Sequence, residues 1–117
     1  RETFAKDGTA TGATQARAVV LSFGGKKLTQ VNVEAEFGKR SFRDIHPDVQ
    51  FLSNPQFKIF PKDGHWMISH IPDATNETIV NGERIIADVV LEDEMCITVG
   101  NSTKGIEKFP INVSLIK

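Results

Sequence analysis

From Arg17 onward, short apolar stretches alternate with clusters of turn-forming residues, and no apolar period of 3.6 is sustained beyond about one helical turn. ARAVVLSF reads as a strand, GGKK as a turn, and LTQVNVEAEF as a stretch of alternating apolar and polar positions, with Leu28, Val31, Val33 and Phe37 among the apolar ones. FGKRSFRDIHPDVQFLSNP, with Pro47 and Pro55, is mostly irregular. QFKIF, HWMISHI, TIV, ERIIA and MCITV then read as short strands separated by PKDG, PDATNE, NG, LEDE and GNSTKG. PINVSLI closes the series, with Pro110 as an edge-compatible opening residue because proline has no N–H to give to a ladder. Several short strands and no long helix predict an all-β sandwich or barrel.

Within that series the stretch Asp73–Gly82, DATNETIVNG, carries the densest turn chemistry. Asn76 and the Asn81-Gly82 pair can both take left-handed backbone at low cost, so two turns are expected to flank the β-branched run Thr78-Ile79-Val80. Short polar side chains in such a loop either satisfy their own backbone or face a ligand. Residues 1–16 lack large apolar side chains apart from Phe4, and read as a flexible tail or linker ahead of a single domain over 17–117. The tail threonines Thr3, Thr9, Thr11 and Thr14 are candidates for phosphorylation.

With 117 residues there is enough chain for one core. No run approaches the roughly 18 apolar residues of a membrane-spanning helix, and the start is too polar for a signal peptide's apolar region. Cys96 is alone and cannot form an internal disulfide, which fits a reducing compartment; a cytoplasmic location is the expectation. A net charge of −1 argues against a nucleic-acid track, and nothing calls for a membrane partner. Charge is nonetheless zoned. Residues 39–62 hold five basic side chains (Lys39, Arg40, Arg43, Lys58, Lys62) against Asp44 and Asp48, whereas residues 73–94 hold seven acidic ones and only Arg84. A local positive zone of this size suits a small anion site.

Other chemistry finds no footing. His65 and His70 lie an odd number apart on one strand and so face opposite ways, and there is no C-x-x-C or H-x-x-x-H pair to hold a metal. Gly24-Gly25-Lys26-Lys27 lacks the spacing of a phosphate loop, Ser22 is not in a nucleophile elbow, and Asp93-Glu94 reads as a solvated corner. No catalytic constellation and no cofactor motif are found, so an enzyme is not expected.

Four pieces, FGKRSFRDI, LSNPQFKI, DGHWMISHIPDATNETIVNGERI and LEDEMCITVG, stand in the order of the forkhead-associated (FHA) family's G-R…D-I, S-x-x-H, D-x-x-S-x-N-G-T-x-x-N-G and L-x-x-G-D-x-I-x-x-G, with order and spacing matching without gaps from Gly38 to Ser53. Residues 17–117 therefore resemble an FHA domain. The resemblance implies a β-sandwich of two mainly antiparallel sheets with ligand loops at one end, and a phosphothreonine-dependent peptide- or protein-binding module in signalling. It implies a phosphopeptide site of Lys39, Arg40, Ser53, Asn54, Thr75 and Asn76. Phosphothreonine carries about −1.5 to −2 charges and three acceptor oxygens, so such a site needs a cation and several short donors. Lys39 stands where the family has arginine, and would bring a point charge without the bidentate fork. Gln56 stands for the histidine of S-x-x-H that braces the loops. Glu77 stands for the glycine after Asn76, which puts a carboxylate beside the site and a Cβ where glycine permits positive φ. The alternative is a degenerate domain of the same fold that serves as a phosphorylation-independent interaction or dimerisation module, so a homodimer is an open option.

Overall fold

The structure, a computed structural model, describes residues 16–117. Residues 1–15, with most of the expected tail and its four threonines, lie outside the described residues. Among the described residues ten strands follow one another: β1 (Ala18–Phe23), β2 (Lys26–Val31), β3 (Ala35–Phe37), β4 (Phe57–Lys62), β5 (His65–His70), β6 (Glu77–Val80), β7 (Glu83–Arg84), β8 (Val89–Val90), β9 (Cys96–Asn101) and β10 (Ile106–Ile116). They form a six-stranded sheet, β2-β1-β10-β9-β6-β7, facing a four-stranded one, β3-β4-β5-β8. Every pairing is antiparallel. The two-sheet, all-β architecture expected of the chain is what forms.

Period-2 alternation builds the core. In β4 Phe57 and Ile59 point in, in β5 Trp66 and Ile68, and in β10 Ile111 and Val113, while Asn112 and Ser114 between and beyond them face out. Each large apolar side chain buried in this way stabilises the fold by about 1.5–3 kcal/mol over leaving it in water. The chain is already attached at its first described residue, where the Trp66 indole Nε1 donates to the Ala16 carbonyl at 3.0 Å.

Several strand ends extend into the expected turns, as at Lys26-Lys27, Pro61-Lys62 and Gly100-Asn101, and three further differences change pairing or position in the sheets. LTQVNVEAEF is not one strand: β2 ends at Val31, residues 32–34 cross over, and β3 joins the other sheet, leaving Val33 71% exposed. ERIIA pairs only over Glu83–Arg84, and Val89–Val90 forms a short edge strand against Met67 and Ile68. PINVSLI is the second part of a longer strand that begins at Ile106 and lies inside its sheet between β1 and β9. Pro110 is tolerated there because the register shifts between Lys108 and Ile111, a bulge at which no ladder N–H is required. At that bulge Phe109 takes φ 54° and its ring is fully buried.

Register sets where the loops lie. Phe57 is paired with both Phe37 and His70, so the end of β3, the start of β4 and the end of β5 share one end of their sheet. Gly100 is paired with both Glu77 and Glu107, which places the start of β6 and the β9–β10 hairpin at one end of the other sheet. The β5–β6 loop joins the two ends and brings the loops 38–56, 71–76 and 102–105 together.

Candidate functional site

The local chain path at this end follows from close backbone approach. Gly38 is buried, and a Cβ there would run into the Ser53 carbonyl oxygen and meet Asn54 Cα at 3.0 Å. Only glycine lets the two loops touch, and Lys39 N then donates to Ser53 O at 3.1 Å. Arg40 N reaches Asn54 Oδ1 at 3.4 Å. Ser53 Oγ accepts from Thr75 N at 2.8 Å, which ties the third loop on. Asn76 Nδ2 donates to the Phe51 carbonyl at 2.8 Å. Lys39, Arg40, Ser53, Asn54, Thr75 and Asn76 are thus brought to one rim, linked through these contacts, with Lys39, Arg40, Asn54 and Thr75 exposed.

A shell of buried polar groups holds that rim. The Gln56 side chain is fully buried: its Oε1 accepts from Ser53 N at 2.8 Å, and its Nε2 donates to Asn76 O at 2.9 Å and to Thr78 Oγ1 at 3.1 Å. Its main chain is used as well, N to Phe37 O at 2.7 Å and O from Ile71 N at 3.1 Å. Glutamine therefore does what the resemblance assigns to histidine at this position, clasping the second loop to the third. The basic loop is anchored from below by Phe42, whose ring is buried between Phe37 (centroids 5.9 Å apart) and Phe109 (5.7 Å).

Glu77 departs from the expectation. Left-handed backbone falls on Asn81 (φ 50°) and Gly82 (φ 85°), which make the β6–β7 turn, and not on Asn76 or Glu77; Glu77 is the first residue of β6. Its side chain serves the neighbouring hairpin. Oε1 accepts from Ser102 N at 2.9 Å and Ser102 Oγ at 2.8 Å, and Oε2 lies 4.0 Å from Arg84. These donors, the Ser102 N–H first, hold its carboxyl below the usual glutamate range.

Two residues of this network were missed in the sequence, Thr78 and His70. Thr78 is fully buried, and its hydroxyl lies 2.8 Å from His70 Nδ1. Period-2 phase was the available signal: His70 follows Trp66 and Ile68 on the inward face of β5. Burial, then the nearby Arg84, lowers the His70 pKa below the usual histidine value. Among the described residues no cluster of three or more metal-ligating side chains occurs.

Three solved structures with this architecture are forkhead-associated domains. The FHA-1 domain of Rv1747 from Mycobacterium tuberculosis has a TM-score of 0.63 and 15% identity, covering 87% of this chain and 99% of that one. An FHA domain of a hypothetical protein from Arabidopsis thaliana has a TM-score of 0.67 and 17% identity, covering 94% and 95%. A structure from work on phosphothreonine-dependent FHA domain interactions has a TM-score of 0.63 and 20% identity, covering 86% and 98%. No family model and no curated protein matches the sequence. The chain has the forkhead-associated fold, and at these identities the likeness is one of fold.

Proposed function

We propose that this domain binds phosphothreonine in a partner protein or peptide, at the rim formed by Lys39, Arg40, Ser53, Asn54, Thr75 and Asn76. The observation that carries the reading is the convergence of two cations and four short polar side chains from three loops, held by Gln56 and closed by the Ser53–Thr75 contact. Each internal contact leaves a donor for the ligand. Ser53 Oγ accepts from Thr75 N, so its hydrogen is free to reach a phosphate oxygen, and Asn54 uses its Oδ1 inward, which turns its amide N–H groups out. Lys39 and Arg40 supply charge, and among the described residues neither is held in an ion pair. Asn76 spends one Nδ2 hydrogen on Phe51 O, leaving its Oδ1 and second N–H for the ligand's main chain. The Glu77 carboxylate faces Ser102 and Arg84, so its repulsion of the ligand is reduced. A binding module of this kind transfers no group and needs no cofactor.

Titration with a degenerate phosphothreonine peptide library and its unphosphorylated twin tests the reading. The amides of Ser53, Asn54, Thr75 and Asn76 are expected to shift with the phosphorylated peptides alone. Lys39→Arg should tighten binding through the bidentate fork, and Lys39→Ala should lose about 1.5–3 kcal/mol, on the order of tenfold or more. Silence across the library would leave a phosphorylation-independent interaction or dimerisation module, and equal affinity of the three variants would put the cation elsewhere.

A further inference from the structure

We propose that His70 is a positioning residue for the phosphothreonine rim, acting through Thr78 and Gln56 as a neutral imidazole with Nδ1 unprotonated. The inference rests on the reading above and concerns a side chain that, among the described residues, makes no hydrogen bond to any of the six rim residues.

Hydrogen accounting assigns a direction to each contact. Ser53 N–H can only donate, so the Gln56 atom facing it at 2.8 Å is the acceptor Oε1 and the other end is the amide nitrogen. That nitrogen has two hydrogens. One goes to the Asn76 carbonyl at 2.9 Å and the other to Thr78 Oγ1 at 3.1 Å. The Thr78 oxygen could accept a second time, but its own hydrogen needs an acceptor in this buried site; Gln56 Nε2 is a donor, so among the described residues the side-chain group placed to take that hydrogen is His70 Nδ1 at 2.8 Å, to which we assign the lone pair. The ring proton then sits on Nε2. Gln56 and Thr78 are both fully buried, so no water replaces a lost partner.

Protonating His70 breaks this order. An imidazolium presents N–H at Nδ1, the Thr78 oxygen then faces two donors, and its hydrogen is left without an acceptor in a buried site. Thr78 and with it Gln56 must shift, and Gln56 is the clasp between Ser53 and Asn76. The charges facing His70 are Arg84 from β7 and Glu77 from β6, with Asp88 of the β7–β8 connection on the same cavity. Burial and Arg84 favour the neutral ring, while Glu77 opposes them with a charge already engaged by Ser102 and Arg84. His70 is also the end of the chain that solvent reaches. It is half-buried and lines an open cavity of about 600 Å³ between the β5–β6 loop and residues 84–88.

Two measurements test this. Long-range ¹H–¹⁵N spectra of the imidazole in the unliganded protein read the tautomer without any peptide: the Nε2–H form is expected, with a titration midpoint below that of free histidine. A phosphothreonine peptide selected from the library is then titrated across mildly acidic to neutral pH into wild type, His70→Asn and His70→Leu. Asparagine places a non-titrating acceptor near the Nδ1 position; leucine offers none. At neutral pH His70→Asn should bind like wild type and His70→Leu about three- to tenfold more weakly. As pH falls through the His70 midpoint, wild type should lose affinity relative to His70→Asn, and because both bind the same peptide the titration of the phosphate cancels in the ratio. An Nδ1–H tautomer, or wild type and His70→Asn declining in parallel, overturns the inference and leaves phosphothreonine binding standing. Absence of binding in every variant overturns both, even with the tautomer as expected. If His70→Leu does not fold, the ratio of the other two decides.

Discussion

Glu77 shows how far a single residue's role is set by a partner distant in the chain. A carboxylate next to Asn76 is visible in the sequence, and so is the risk that it repels a phosphate. Which way it points depends on Ser102, 25 residues on, whose N–H and hydroxyl both donate to Oε1. The same contacts make a pH prediction. Because the folded carboxyl is held below its unfolded value, Glu77 contributes stability above the ordinary carboxylate range, and that contribution is lost as pH falls through the depressed value. Wild type should therefore exceed Glu77→Gln in urea-unfolding stability at neutral pH, and the gap should shrink on acidification. A gap independent of pH would mean that folding does not favour the ionised form of Glu77.

At the scale of elements, period and turn chemistry were legible and sheet membership was not. Alternation located most of the strands, and Asn81-Gly82 was read as a turn from its residue types alone. The division of LTQVNVEAEF between two sheets was hidden, because Val33 continues the alternation while its side chain lies in solvent on the crossover. Pro110 misled for a related reason: a proline excluded from regular central pairing is admitted at a bulge, and a bulge depends on the partner strand β9. The contact between the first two site loops depends on Gly38. Replacing it with valine drives side-chain carbons into the Ser53 backbone and should cost about 2–3 kcal/mol, with the amide signals of Lys39, Ser53 and Asn54 displaced in the unliganded protein. Unchanged stability and unchanged signals would show that the loops do not need this approach.

Across the whole molecule, the candidate rim and the core are one mechanical unit. Phe42, three residues past Lys39, is buried against Phe37 and Phe109, one from each sheet, and Phe109 in turn stacks on Phe23 at 4.7 Å. The basic loop is thus held by the same aromatic cluster that closes the sandwich. Phe42→Ala should cost about 3–5 kcal/mol in urea unfolding and also loosen residues 39–43, seen as faster amide exchange there than in the β9–β10 hairpin. A loss of stability spread evenly, with the loop no more mobile than the hairpin, would separate the two roles.

The sequence by itself determined the all-β class, most of the strands, the Asn81-Gly82 turn and the identity of the short polar and basic side chains that became candidates, because period-2 burial and turn preference are written in residues near one another. Tertiary structure alone decided which loops meet and in what order their hydrogens are shared. Apart from the local Gln56–Ser53 contact, Gln56, Thr78, His70 and Ser102 act through partners 8 to 25 residues away, and strand register brings those partners within 3.1 Å. A hydrogen bond is a constraint on position, and position across two sheets is a property of the folded chain.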